Sequence, residues 1–203
     1  MYEPTLHMGP DQYSVFSTLS TTFYQLHIIN SQWLFFITGS ADVRKSYLLS
    51  AIQQNLDSWW LMYVKLTPTG IAAVNIQGQM IHSALSMMTS NFGNRMMSYV
   101  SSIFQSEEKL MEMKGYQVLL IDEISMVSAE MLIFISSTFS RLHGNAKPFG
   151  GICVITFGDL QLPPIVGQQV FKCMLWRLFF PLFLTQSRHQ VGQAEFVDIL
   201  NEV

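Results

Sequence analysis

WLFFITGSADVRKS, residues 33–46, joins an apolar run (Trp33 to Ile37) to a glycine-led loop and a Lys-Ser pair that opens a segment of helical period. A strand, a loop and a helix N-terminus in that order form a cradle for phosphate. Loop N–H groups of Gly39, Ser40 and Ala41 would face the anion, Lys45 would reach its oxygens and Ser46 would take Mg2+. The pattern GxxxxGK[ST] wants glycine where Arg44 stands. A non-glycine residue in the left-handed conformation costs about 1–2 kcal/mol. Asp42 adds a second departure, since a carboxylate about 4 Å from a phosphate repels by roughly 4 kcal/mol at an effective dielectric of about 20. Read alone, the same residues also make an ordinary strand–turn–helix.

Outward from this stretch the chain alternates short apolar runs with segments of helical period. Trp33 to Thr38, Trp60 to Leu66, Val118 to Ile121, Ile152 to Phe157 and Phe180 to Leu184 read as strands. They are apolar on both faces, which suits a parallel sheet covered by helices. Lys45 to Leu56 and Ser128 to Leu142 read as helices. The second has Ser128 as N-cap, Glu130 in its first turn, an apolar face of Leu132, Ile135, Phe139 and Leu142, and Gly144 as terminator. Asn94 to Lys114 reads as a helix with a solvated face carrying Glu107, Glu108 and Glu112. Residues 1–30 show no clean period and read as a partly ordered lead-in. Ala194 to Glu202 reads as the start of a helix, with the chain expected to continue into something larger.

At 203 residues the length suits one large α/β domain. Charged residues are 12% of the chain against roughly 25% in ordinary soluble domains, so part of the surface is expected to be covered by a partner. A net charge of −3 excludes gripping nucleic acid by bulk charge, and any DNA contact must be local. Cys153 and Cys173 form no CxxC and no metal-spaced set with the histidines, which points away from a disulfide scaffold or zinc site and toward a reducing intracellular compartment. No apolar run approaches the roughly 18 residues of a membrane helix, and the N-terminus lacks the layout of a signal peptide.

Four further motifs carry chemistry. Leu119-Leu120-Ile121-Asp122-Glu123 is an apolar strand ending in two carboxylates, one suited to hold Mg2+ and the next to polarise water; standing alone it is also a strand with a solvated acidic turn. Gly158-Asp159-Leu160-Gln161 puts an amide at a strand's carboxyl end, where α/β ligand sites gather, although a Pro-Pro turn explains it as well. Thr67-Pro68-Thr69-Gly70 opens a helix and offers backbone donors to an anion such as a DNA phosphate, and capping alone explains it equally. His82 is by default a partly buried structural histidine. Trp59, Trp60 and Trp176 could stack on bases, but tryptophans beside apolar strands are far more often core. Thr185-Gln186-Ser187-Arg188-His189-Gln190 closes the set.

TPTGIAAVNIQGQMIHSAL, LLIDEISMVSAEMLIFISSTFSRLHGNAKPFGG with the following strand and GDLQLPP, and LTQSRHQVGQAEFVDILNEV together resemble the petite-integration-frequency (PIF) family of superfamily-one DNA helicases, from about Ser31 to Val203. The resemblance implies a P-loop NTPase fold: a RecA-like first motor domain over residues 31–185, with 186–203 leading toward a second motor domain that these residues do not contain. It further implies ATP and Mg2+ as cofactors and single-stranded or forked DNA as partner. The implied task is 5'-to-3' unwinding in genome maintenance (DNA repair, recombination, telomere maintenance), in the nucleus or mitochondrion. Carried over by position, Gly39, Ser40, Ala41, Lys45 and Ser46 are the phosphate loop, Ser46 and Asp122 the metal ligands, and Lys45, Glu123 and Gln161 the catalytic groups. Thr69, Gly70 and His82 lie on the DNA path.

The departures from the family pattern are local. Asp42 and Arg44 replace two glycines, and one residue is missing before Gln161, which moves that side chain by about 3 Å in an extended segment. His189 stands where the family has arginine, with Arg188 beside it. Two hypotheses follow: an ATP-dependent DNA helicase represented by its first motor domain, or a non-catalytic binding module that keeps the fold and pairs through an uncovered apolar face. A P-loop kinase or GTPase fits poorly, because no base-specificity motif is present.

Overall fold

The computed structural model describes residues 7–29, 31–39, 43–91, 97–160, 164 and 167–186. In chain order the elements are α1 (Pro10–Ile29), β1 (Leu34–Thr38), α2 (Lys45–Ser58), β2 (Tyr63–Thr67), α3 (Gly70–Ile76), β3 (Gln79–Met80) and α4 (Ile81–Ala84). They continue with β4 (Met87–Asn91), β5 (Met97–Ser101), α5 (Glu107–Gly115), β6 (Val118–Ile121), α6 (Ala129–His143), β7 (Cys153–Gly158) and β8 (Phe180–Phe183). Six strands form one sheet in the order β3-β2-β6-β7-β1-β8, every pairing parallel. The expected parallel α/β architecture is therefore present.

Side chains alternate across the sheet and divide the core in two. Leu119, Ile121, Val154 and Phe36 pack with Leu132, Ile135 and Phe139 of α6 on one face. Val118, Leu120, Ile155 and Phe35 pack with Leu48, Ile52 and Leu56 of α2, and with α1, on the other. Both faces of β6 and β7 are thus buried, which is why those strands are apolar throughout. The helix expected at Ser128 forms as read: Ser128 Oγ accepts from Met131 N at 3.1 Å, and Gly144 ends it with φ 65°. At the outer edge, Leu184 N donates to Thr38 O at 2.8 Å, so by alternation Pro181 presents its missing donor outward, where an edge strand tolerates proline.

Three expectations need correction. Residues 10–29, read as part of a partly ordered lead-in without a clean period, form a 20-residue helix. Val15, Phe16, Leu19, Phe23 and Leu26 give it a buried face. The period is masked by Ser and Thr: exposed Thr18 and Thr21 and buried Thr22 all donate back to carbonyls four residues earlier. The helix expected over Asn94 to Lys114 begins only at Glu107, capped by Ser106. Before it, Met97–Ser101 pairs antiparallel with β4, and Ser101 and Ser102 bond to the carbonyls of Leu85 and Ser86. Trp60 is not core: it sits in a turn at φ 55° and is 89% exposed, so β2 starts at Tyr63.

Cys153 and Cys173 are buried and free, and burial pushes the Cys153 thiol up to about 12. Among the described residues no helix is long and apolar enough to cross a membrane. The helix expected over 194–202 lies outside the described residues.

Candidate functional site

The carboxyl ends of β1, β7, β6 and β2 lie side by side, because Thr38 pairs with Gly158, Thr156 with Ile121, and Ile121 with Leu66. The loops leaving these four ends carry four of the five motifs. Gly39 is required by space: a Cβ there would stand 2.6 Å from Leu184 O and 2.8 Å from Val43 Cγ2. The chain then enters α2 through Arg44, which adopts φ 53°, ψ 50°, the left-handed conformation in which glycine is at home. Arg44 makes no side-chain cap, and its side chain is exposed.

Lys45 opens α2, and its Nζ donates to Gly39 O at 2.6 Å, closing the loop from helix to strand. Its charge also acts on Asp122. The Asp122 carboxyl is raised above the ordinary range: burial is the main cause and the Glu123 carboxylate adds to it, while the Glu123 N–H and Lys45 oppose. Asp122 is held by its own N–H on Leu66 O at 2.9 Å, and its Oδ1 accepts from Glu123 N at 3.0 Å. Glu123 is left-handed at φ 53° and leads a short 3-10 turn, Ile124–Met126. Gly158 packs against that turn so tightly that a Cβ would lie 2.8 Å from Ile124 Cγ2.

Lys45, Asp122, Glu123 and Gly39 are therefore brought together at one edge, with Ser46 exposed on the first turn of α2. Ser40, Ala41 and Gln161 lie outside the described residues, as does the closing motif beyond Gln186. Thr69, Gly70 and His82 are on the same edge but displaced sideways. Thr69 follows β2 and caps α3, its Oγ1 accepting from Ala72 N at 3.3 Å; Gly70 starts that helix. His82 is half-buried in α4, beyond β3. Three strand spacings of about 4.8 Å put β2 about 14 Å from the phosphate loop.

A divalent cation fits what is present. Among the described residues no three carboxylate, histidine or cysteine side chains converge as a metal cage, so the ion would be held by Asp122 and Ser46 with phosphate oxygens and water, the usual arrangement for Mg2+. Two buried hydroxyls at this edge, Thr67 Oγ1 and Ser125 Oγ, have no hydrogen-bond partner. Unpaired buried polar atoms beside a half-buried carboxylate suit an arriving hydrated ion.

Sequence reasoning missed the first turn of α1. Gln12 is 2% exposed; its Oε1 accepts from Gly9 N at 3.0 Å and its Nε2 donates to Val43 O at 2.9 Å, fastening α1 to the phosphate loop. Asp11 Oδ2 accepts from Thr185 N and Gln186 N at 2.8 and 2.9 Å, at the start of the closing motif. Burial alone would raise the Asp11 carboxyl, but the N–H donors of Gln186, Thr185 and Gln12 hold it below its ordinary value. Gly9-Pro10-Asp11-Gln12 carries a start signal in Pro10, yet nothing local reveals partners more than 30 residues away.

The sequence profile of the family described as PIF1-like helicase matches residues 7–194. ATP-dependent DNA helicase PIF1 of Candida albicans is 30% identical over 201 residues, covering 89% of this chain and 22% of that protein. A solved structure of two coordinating Pif1 helicases at forked dsDNA superposes with a TM-score of 0.76 at 25% identity, covering 97% of this chain and 48% of the other. Bacteroides Pif1 in complex with ADP-AlF3 and ssDNA gives 0.69 at 27% identity, covering 91% and 45%. The chain thus spans about a fifth of its Candida relative and just under half of the solved chains. With the cradle, the paired carboxylates and the parallel RecA-like sheet, these matches show that the chain belongs to the PIF1-like helicase family.

Proposed function

We propose that this chain is the nucleotide-binding first motor domain of a Pif1-type, ATP-dependent DNA helicase, with Mg2+ as the companion ion and single-stranded DNA as track. One observation carries the reading: Lys45 closes over the loop onto Gly39 O while its charge acts on Asp122, so one ammonium stands between the phosphate cradle and the metal carboxylate. On nucleotide entry Lys45 exchanges the Gly39 carbonyl for phosphate oxygens. Asp122 and Ser46 would hold Mg2+, which would neutralise phosphate charge, and Glu123 would accept the proton of the water that displaces ADP from the terminal phosphate. Gln161 senses the terminal phosphate. Thr69, Gly70 and His82 meet the DNA backbone, a reading supported by relatives that act at forked dsDNA or were solved with ssDNA. Two free buried cysteines support action in a reducing compartment, nuclear or mitochondrial.

Strand separation needs a second motor domain closing on ATP, so these 203 residues alone bind nucleotide without unwinding. A second reading, a binding module without turnover, is supported by the left-handed Arg44. The test is equilibrium binding of a fluorescent ATP analogue with Mg2+ to this chain and to Lys45→Ala. Micromolar binding that Lys45→Ala abolishes is the expected result. Absence of binding by a folded wild-type chain would refute nucleotide use and leave the fold alone as the family's mark.

A further inference from the structure

Thr67 ends β2 and is fully buried, yet its Oγ1 has no hydrogen-bond partner. Native interiors rarely leave a hydroxyl so, and each case calls for a reason. The neighbouring strand supplies one. Leu66 pairs with Ile121, and Asp122 N donates to Leu66 O, so Thr67 and Asp122 are the next residues on adjacent strands about 4.8 Å apart. Leu66 and Ile121 both point into the α6-side core. One step on, Thr67 and Asp122 both turn to the face where α2 begins with Lys45 and Ser46.

We propose that Thr67 is a positioning residue of the metal site: its Oγ accepts a hydrogen bond from a water in the shell of the cation held by Asp122. The inference rests on the nucleotide reading above. It explains why a hydroxyl is tolerated where valine would fit as well: the partner arrives with the ion. Outer-shell groups of this kind orient the ion's ligands and are worth roughly 10- to 100-fold in metal affinity.

The experiment measures Mn2+ affinity by electron paramagnetic resonance in the presence of ATP, ATP affinity in EDTA, and thermal melting without ligands. It compares wild type, Thr67→Val, Thr67→Ser and Thr67→Ala. Thr67→Val should melt at or above wild type without ligand, since an unpaired polar atom is replaced by an apolar one of equal shape. It should bind ATP in EDTA as wild type does and lose roughly tenfold in Mn2+ affinity. Thr67→Ser, which keeps the hydroxyl, should stay close to wild type, and Thr67→Ala should lose Mn2+ affinity as valine does. Unchanged Mn2+ affinity in Thr67→Val, or in Thr67→Ala should valine fail to fold, overturns the role of Thr67 alone. A wild-type chain that binds neither ATP nor Mn2+-ATP overturns the nucleotide reading and this inference with it.

Discussion

Arg44 concentrates the question of competence in one residue. Its φ of 53° places an L-side chain where glycine is free of strain, at a cost of about 1–2 kcal/mol. The strain comes from the turn into α2, where Tyr47 N and Leu48 N both bond to Arg44 O. Arg44→Gly keeps those bonds and removes a strain that is present without nucleotide, so it should raise the stability of the chain by about 1–2 kcal/mol, read as a higher urea midpoint. An unchanged midpoint would mean that position 44 carries no strain, and a lower nucleotide affinity of the variant, read by titration with the fluorescent analogue, would mean that the guanidinium itself serves the phosphates. Arg44 was legible in the sequence because the phosphate-loop pattern assigns its position a backbone state. Thr67 and Gln12 were not, because a hydroxyl without a partner and an amide bridging Gly9 to Val43 become visible only when distant segments meet.

Among the elements, α1 matters most beyond what its pattern suggested. Leu19 and Phe23 are fully buried, and the helix packs on α2, so it is part of the core that supports the phosphate loop from behind. Phe23→Ala should destabilise the chain by about 3–5 kcal/mol, read as a lower urea midpoint with an unchanged slope; a loss below about 1 kcal/mol would show that α1 is peripheral. The five strands were legible because each is a short apolar run, and β6 and β7 are buried on both faces, although the edge strand β8 leaves Phe180 and Phe183 exposed. The β4-β5 pair was not: Thr89, Tyr99 and Val100 are of the branched and aromatic kinds that mark strands, but Met, Ser and Asn fill the other positions, and contacts to Leu85 and Ser86 hold the pair in place.

For the molecule as a whole, stability at mild acid follows from what the fold buries. His143 is held neutral: burial pushes its pKa below the ordinary 6.5, nearby Lys114 adds to the effect, and its Nε2 is buried without a partner. The unfolded chain therefore binds a proton at a higher pH than the folded one. Stability is full above about pH 6.5 and is lost as pH falls through the window below it. Asp11, lowered by N–H donors, loses its contribution in a more acid window, while Asp122, raised by burial, gains from protonation and opposes that loss. Urea unfolding from pH 7.5 to 5.5 should show the decline, and His143→Gln should flatten it; an equal slope in the variant would assign the titration elsewhere. Residue types alone were enough to read the parallel α/β class, the order of the motifs and the conflict at Arg44, because strand burial and loop geometry are local demands that residue type must meet. It took the folded chain to show that α1 fastens to the phosphate loop through Gln12, that Lys45 bonds Gly39 O while its charge acts on Asp122, and that Thr67 ends unpaired on the strand next to that carboxylate. Those relations join residues tens of positions apart, and it is the parallel register of the sheet that brings them to one edge.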